Sequence, residues 1–178
     1  HNDKKIGIDG ENSVGVHAAV QLLRDIGEGR VPDFHGKRVC VIGGGNVSMD
    51  ATRTALRLGA ASVTCVYRRR ISDMTALNEE IEDAQAEGCQ ILQLQAPDHI
   101  EADENGHVTA LWTRPQVIGP YGSDGRPRPY DADAPLLRTP CDIVIVAIGQ
   151  AIDARPFAQV MPLERGKIKA SSDAFVPN

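Results

Sequence analysis

No stretch of this 178-residue sequence is apolar for long enough to cross a bilayer. The longest apolar run, Ile143-Val144-Ile145-Val146-Ala147-Ile148, falls far short of the roughly 20 residues a membrane helix needs, so no membrane span or membrane partner is expected. The opening residues His1-Asn2-Asp3-Lys4-Lys5 carry charge with no apolar segment behind them, so no secretory signal is expected there. Positive charge is also in short supply: 19 Lys and Arg stand against 24 Asp and Glu, a net charge of -5. Nucleic-acid-binding proteins rely on a positive field to displace counterions, so no nucleic-acid partner is expected. Cysteine is scarce and scattered. Cys40, Cys65, Cys89 and Cys141 include no C-x-x-C pair that would seed zinc, iron–sulfur or thioredoxin-like chemistry. Three of them sit inside or beside apolar, strand-like runs, which reads as small-hydrophobe packing in a reducing, cytoplasmic compartment. His17, His35, His99 and His107 show no metal-ligand spacing, so no metal site is expected. The patterns G-x-x-x-x-G-K-[ST] and G-x-S-x-G are missing, which removes the nucleoside-triphosphate P-loop and the hydrolase nucleophile elbow.

What is present suits one α/β core. Apolar residues are 42% and charged residues 24% of the chain, an ordinary globular balance. Ala19, Val20, Leu23 and Ile26 recur at helical spacing until Gly27 and Gly29. Arg38-Val39-Cys40-Val41-Ile42 is a short apolar, β-branched run that suits a strand buried on both faces. Glycines follow at once, then a helix through Val47, Ala51, Ala55 and Leu58 that Gly59 stops, then a second strand over residues 62–67. This is a βαβ unit, whose strands are parallel and whose crossover is right-handed. A second helix is expected over residues 76–87 with Leu77, Ile81 and Ala84 inward, and a third strand at Ile91-Leu92-Gln93-Leu94. Glu104-Asn105-Gly106-His107 signals a tight primed hairpin turn, with residues 108–113 as the returning strand. Residues 114–138 hold most of the prolines and read as a loop or loose hairpin before a last buried strand at 142–148.

Gly43-Gly44-Gly45-Asn46-Val47-Ser48 meets the pattern G-x-G-x-x-(G/A) at its first two required positions and has serine at the third. Its force comes from context, since it closes a buried strand and opens a helix. Gly43 permits the tight turn, and Gly45 lets backbone approach a pyrophosphate with no Cβ in the way. The third residue brings helix and strand together, a job for which Ser48 is slightly large. The helix start adds unpaired N–H groups and a positive dipole end, which favours an anion by roughly 0.3 to 1 kcal/mol. The bland alternative is a glycine turn that binds nothing. A domain built for NAD carries Asp or Glu at the end of the second strand, about 20 residues on, to accept from the ribose 2'-hydroxyl. Here that place reads Val66-Tyr67-Arg68-Arg69-Arg70. Guanidinium groups bind a 2'-phosphate with paired donors, so Arg68 and Arg69 point to NADP(H) rather than NAD(H), with Arg70 a lesser contributor. The alternative is a solvated basic turn.

Several segments carry a resemblance. They are Gly10-Glu11-Asn12-Ser13-Val14-Gly15-Val16, the run from Gly36 through Gly43-Gly44-Gly45 to Ala51, and Val63-Thr64-Cys65-Val66-Tyr67-Arg68-Arg69. Glu79-Glu80 with Ala86-Glu87-Gly88, Asp124-Gly125-Arg126 and Ala147-Ile148-Gly149-Gln150 complete the set. Over nearly the whole chain this resembles the glutamate synthase small-subunit (β-subunit) group of flavoproteins, which includes the nicotinamide half of dihydropyrimidine dehydrogenase. The resemblance implies a Rossmann-like parallel sheet with a β-hairpin or meander insertion, the NAD(P)H domain of a flavoprotein with two dinucleotide-binding domains. In such a protein hydride passes from nicotinamide to FAD. It also implies that Gly43, Gly44, Gly45, Asn46 and Val47 hold the pyrophosphate, that Arg68 and Arg69 hold the 2'-phosphate, and that Ala147, Ile148, Gly149 and Gln150 face the nicotinamide.

By the same resemblance, residues 1–35 lead in from the FAD-domain side, 36–150 form the NAD(P)H domain with a meander at 97–140, and 151–178 return toward an FAD domain. The FAD fingerprint and the Gly-Gly-Asp FAD segment of the family are missing, so FAD is expected in the parent protein rather than on this fragment. The partners implied are NADPH, the FAD domain of the parent chain, and a larger catalytic or iron–sulfur subunit. Two departures stand out: Ser48 replaces the usual alanine, and Thr75 stands where relatives often carry proline, which is expected to loosen the second helix's start. No catalytic acid, base or nucleophile is expected, because Asp50, Glu79 and Glu80 lie near helix starts as dipole partners. Two other readings stay open: an NAD(H)-linked iron–sulfur or electron-bifurcating flavoprotein domain, and a degenerate scaffold that binds no cofactor.

Overall fold

The computed structural model describes residues 2–3, 5–123, 125–151, 163–164 and 167–168, with side chains over 5–123 and 125–149. It divides into two units, His1–Lys4 with Gln150–Asn178 and the larger Lys5–Gly149. In the smaller unit β1 (Asn2–Asp3) pairs antiparallel with β11 (Gln150–Ala151), and β12 (Leu163–Glu164) with β13 (Lys167–Ile168).

The larger unit is built on a five-stranded parallel sheet. Its strands are β2 (Val16–Ala18), β3 (Arg38–Ile42), β4 (Ser62–Tyr67), β5 (Gln90–Gln93) and β10 (Ile143–Val146), in the order β2-β10-β3-β4-β5. Successive side chains on a strand point to opposite faces, and here both faces are covered. Val39, Val41, Val63, Ile143 and Ile145 pack against Ala19 and Leu22 of α1 (Ala19–Gly27) and Ala51 and Ala55 of α2 (Asn46–Arg57). The alternate residues Cys40, Ile42, Val66 and Val144 meet Ile100, Val108 and Leu111 on the other side. Those belong to an antiparallel meander of β6 (Gln95–Ala102), β7 (Val108–Tyr121), β8 (Pro127–Asp131) and β9 (Leu137–Pro140). Met49 of α2 and Cys65 of β4 join Ile81 and Ala84 of α3 (Asn78–Ala86) in a third cluster. Helices, parallel sheet and meander thus form three layers, which is why the parallel strands read as unbroken apolar runs.

Three expectations are corrected and one, of two alternatives, is narrowed. Val16–Ala18 is a strand at the sheet edge, too short to leave a period, where only a helix was anticipated. Of the two readings of the proline-rich 114–138 region, loop or loose hairpin, the hairpin is the one formed. Much of it extends β7 and forms β8 and the start of β9; Pro127 and Pro129 are tolerated because, among the described residues, β8 has a ladder partner on one side only, β7. The 103–107 turn is not a two-residue primed turn. The Asp103 carboxylate accepts the Asn105 and His107 N–H groups, both at 2.9 Å, and only Gly106 takes a positive φ, of 80°. Leu77 stays out of the core at 61% exposure, because α3 begins one residue later at Asn78.

A charged clasp closes the sheet at the amino end of β3. Arg38 donates Nε and one terminal nitrogen to the Asp142 carboxylate at 3.0 and 2.7 Å, and its backbone N–H adds a third bond at 2.9 Å. Hydrogen bonding from the Arg38 guanidinium holds the Asp142 carboxyl below its ordinary range. A folded-state pKa below the unfolded value gives stability that is present above the unfolded pKa and lost as pH falls through the folded one. The melting-temperature advantage of wild type over Asp142→Asn should therefore be full at pH 7 and shrink below about pH 4. Melting curves between pH 7 and 3 test this, and a gap independent of pH would refute it.

Candidate functional site

Ligands of open α/β sheets bind beyond the carboxyl ends of the strands, where strand order reverses. Here β4 and β5 follow β3 on one side and β10 returns on the other. The glycine turn lies at that point, and its three glycines answer different demands. At Gly43 a Cβ would fall 2.4 Å from the Ala147 carbonyl oxygen and 2.5 Å from Ser48 Oγ, and its φ of 144° suits glycine. At Gly44 a Cβ would stand 2.5 to 2.9 Å from three atoms of the Tyr67 ring. Gly45 has a φ of -106° and ψ of 177°, backbone that any residue adopts, and a Cβ there would meet only Thr75 Oγ1 at 3.4 Å. The first two glycines are required by the protein's own packing. The third faces open room at the start of α2, a helix with no side-chain cap and no acid in its first turn. Its first N–H groups and positive dipole end are thereby available to an anion.

The segment before α3 is fastened to this turn. Thr75 and Ala76 donate their N–H groups to the Gly44 carbonyl at 2.9 and 3.0 Å, and Asn46 Oδ1 accepts the Leu77 N–H at 3.0 Å. Thr75 therefore does not loosen the start of α3: it supplies an N–H that proline lacks. Ser48 is fully buried with its hydroxyl 3.4 Å from the Ala147 carbonyl, while the Ala147 N–H donates to Ile42 at 2.8 Å. Val47 and Ile148 are exposed at 38% and 40%, and with Leu77 they supply apolar surface at the ends of the elements that form the turn. Gly149 is also exposed. Gln150 is described by its backbone, paired with Asp3, and its side chain lies outside the described residues.

Gly44 offers a direct check of this packing. Gly44→Ala should overpack the Tyr67 ring at a cost of about 1 to 3 kcal/mol, lowering the melting temperature by roughly 2 to 10 °C. An unchanged melting temperature would show that the ring yields freely.

At the tip of β4 the three arginines separate. Arg68 is exposed. Arg69 is only 7% exposed, and its Nε donates to the Pro127 carbonyl at 2.7 Å. Arg70 grips the Asp73 carboxylate at 2.8 and 3.1 Å and holds that carboxyl below its usual range. The basic cluster that looked uniform in sequence offers one outward guanidinium and two engaged within the fold. Tyr67, which lies over Gly44 and donates its hydroxyl to the Asp73 carbonyl at 2.9 Å, was legible only as part of a motif.

The four cysteines are free and buried. Burial pushes the Cys65 thiol up, and that of Cys89 up to about 11, so neither supplies a thiolate near neutral pH. Among the described residues no cluster of His, Cys, Asp or Glu could hold a metal ion, and no helix is long and apolar enough to cross a membrane.

Comparison with known proteins agrees with this geometry. A family profile described as pyridine nucleotide-disulphide oxidoreductase matches residues 2–174. The chain is 39% identical over 155 residues to the NADP(+)-dependent formate dehydrogenase subunit beta of Moorella thermoacetica, covering 86% of this chain and 22% of that protein. It is 32% identical over 180 residues to the glutamate synthase [NADPH] small chain of Halomonas elongata, covering 94% and 38% respectively. The chain thus spans about a fifth to two fifths of these relatives. Among solved structures, Mycobacterium tuberculosis FprA in complex with NADPH superposes with a TM-score of 0.69 at 20% identity, over 95% of this chain and 54% of that one. Lactococcus lactis thioredoxin reductase gives 0.70 at 18% identity, over 97% and 50%. Both share the Rossmann-type architecture.

Proposed function

The chain belongs to the pyridine nucleotide-disulphide oxidoreductase family, and on that premise we propose that its larger unit is the NADP(H)-binding part of an FAD-dependent oxidoreductase, of a kind with the glutamate synthase small chain. The observation that carries this is the room at Gly45. A backbone position that any residue could adopt holds glycine, against an uncapped helix start, so the missing side chain serves something other than the fold. A helix start with no Cβ in the way and no acid in its first turn suits the charge of a pyrophosphate. Among the described residues no second glycine turn opens a helix, since β2 runs directly from Ala18 into α1 at Ala19, so this unit suits one dinucleotide.

In this reading, Gly45, Asn46 and Val47 present the α2 N–H groups to the pyrophosphate. Gly43 and Gly44 keep the turn low against Ala147 and Tyr67, and Arg68 meets the ribose 2'-phosphate. Arg69 braces the tip from beneath. Ala147, Ile148 and Gly149 line the nicotinamide side. The cofactor, when bound, supplies the hydride chemistry, and the chain contributes position and field. FAD belongs to the parent protein, and its domain and a larger catalytic or iron–sulfur subunit are the partners. The relatives named as beta subunits support such an assembly, and four free cysteines accord with a reducing, cytoplasmic compartment. The disulphide half of the family name finds no counterpart in these buried thiols.

The commitment of Arg69 and Arg70 to internal partners is the observation that favours the NAD(H)-linked alternative. Calorimetric titration of the chain with NADPH and NADH separates the two. NADPH should bind the tighter, and equal affinities would move the NAD(H)-linked reading ahead.

A further inference from the structure

Two guanidinium groups cross between the β4 tip and the β7–β8 hairpin in opposite directions. Arg69, on the tip, donates to the Pro127 carbonyl on the hairpin at 2.7 Å. Arg126, on the hairpin, donates through one terminal nitrogen to the Tyr67 hydroxyl and the Asp73 carbonyl, both at 3.1 Å. The Tyr67 hydroxyl donates to that same carbonyl at 2.9 Å, closing a triangle. Further along, the Ile71 N–H donates to Gln93 Oε1 at 2.9 Å, and Thr75 and Ala76 are tied to Gly44. Arg68 sits between two of these anchors, Tyr67 and Arg69.

From this geometry we infer that Arg126 is a positioning residue for cofactor choice: from the meander, it holds the β4 tip so that Arg68 is presented to the ribose 2'-phosphate. The inference rests on the NADP(H) reading above. A long side chain that binds a phosphate gives up rotamer freedom, and so does a loose loop beneath it. Fixing the backbone on both sides of Arg68 in advance removes part of that cost from the binding step. Preference for the phosphorylated cofactor then depends on a hairpin that need not touch the phosphate.

The experiment titrates wild type, Arg126→Ala, Arg126→Lys, Tyr67→Phe and Arg68→Ala with NADPH and NADH, and follows amide exchange over residues 68–75 in the unliganded chain. Arg126→Ala should lower the NADPH preference about fivefold to tenfold, with NADH affinity held within about twofold. Arg126→Lys keeps the charge but has the shorter side chain, so its ammonium falls short of the two oxygens that the terminal nitrogen reaches and it should lose most of the same preference. Tyr67→Phe, which removes one oxygen and keeps the ring on Gly44, should move it in the same direction by less. Amide exchange should quicken in all three. Full rescue by lysine would assign the effect to the local field and overturn the positioning role. Equal weakening of both cofactors would reduce Arg126 to a structural residue. If Arg68→Ala abolishes the preference while the Arg126 and Tyr67 variants keep it, this inference fails and the NADP(H) reading stands. A wild-type chain with no preference would sink both.

Discussion

Gly45→Val should abolish dinucleotide binding while leaving the fold in place. The room at this position is bounded only by Thr75 Oγ1, 3.4 Å from where a Cβ would stand, and the backbone is extended. A branched side chain is therefore accommodated by the protein and excludes what would otherwise lie against the helix start. The loss should be at least about a hundredfold, since two hydrogen bonds to a charged group contribute roughly 1.5 to 3 kcal/mol each. Valine is a poor N-cap, which costs the helix about 0.5 to 1 kcal/mol and the melting temperature only a few degrees. Calorimetry with NADPH, beside a melting curve, reads both quantities. Wild-type affinity in the variant would show that no ligand uses this room, and the scaffold reading would replace the present one. Gly45→Ala should fall between the two.

Arg68→Ala is expected to weaken NADPH binding ten- to a hundredfold and to leave NADH unchanged. A hydrogen bond to a charged phosphate is worth roughly 1.5 to 3 kcal/mol, and each 1.4 kcal/mol is a factor of ten. Arg69→Ala should behave differently, because its guanidinium is engaged beneath the tip. It should lower the melting temperature and affect cofactor choice only through displacement of the tip. Arg70 is held by Asp73 and should matter least to affinity. Titrations at two salt concentrations separate contact from field, since a general field effect weakens both cofactors and fades with salt. If Arg68→Ala keeps the wild-type preference, the basic tip is a solvated turn.

Much of the candidate site was legible without coordinates because its parts are neighbours in the chain. A buried strand, a glycine turn and a helix with apolar residues at helical spacing occupy residues 38–57, and each element forms from local periodicity and turn chemistry. That Gly45 leaves room follows from the pattern, and the structure supplies the contrast with Gly43 and Gly44, which the packing of Ala147 and Tyr67 demands. The proline-rich region was legible only as two alternatives for the opposite reason. Proline removes a ladder donor and is tolerated only where that donor is not needed, and where the ladder bonds fall is a property of the sheet rather than of the segment. Leu77 misled, since its place in the apolar period says nothing of the Asn46 side-chain Oδ1 that draws its N–H to the glycine turn.

The sequence by itself determined the βαβ unit, the glycine turn that opens α2 and the basic character of the β4 tip, because these depend on residues within a few turns of one another. Only the tertiary structure decided which arginine faces outward. Arg69 meets Pro127 across 58 residues and Arg126 meets Asp73 across 53, contacts made possible by the fold-back of the meander over the parallel sheet. Three adjacent arginines are chemically identical until a carbonyl 58 residues away claims Arg69 and the neighbouring Asp73 carboxylate claims Arg70, and no local pattern encodes which distant oxygens the folded chain will bring near.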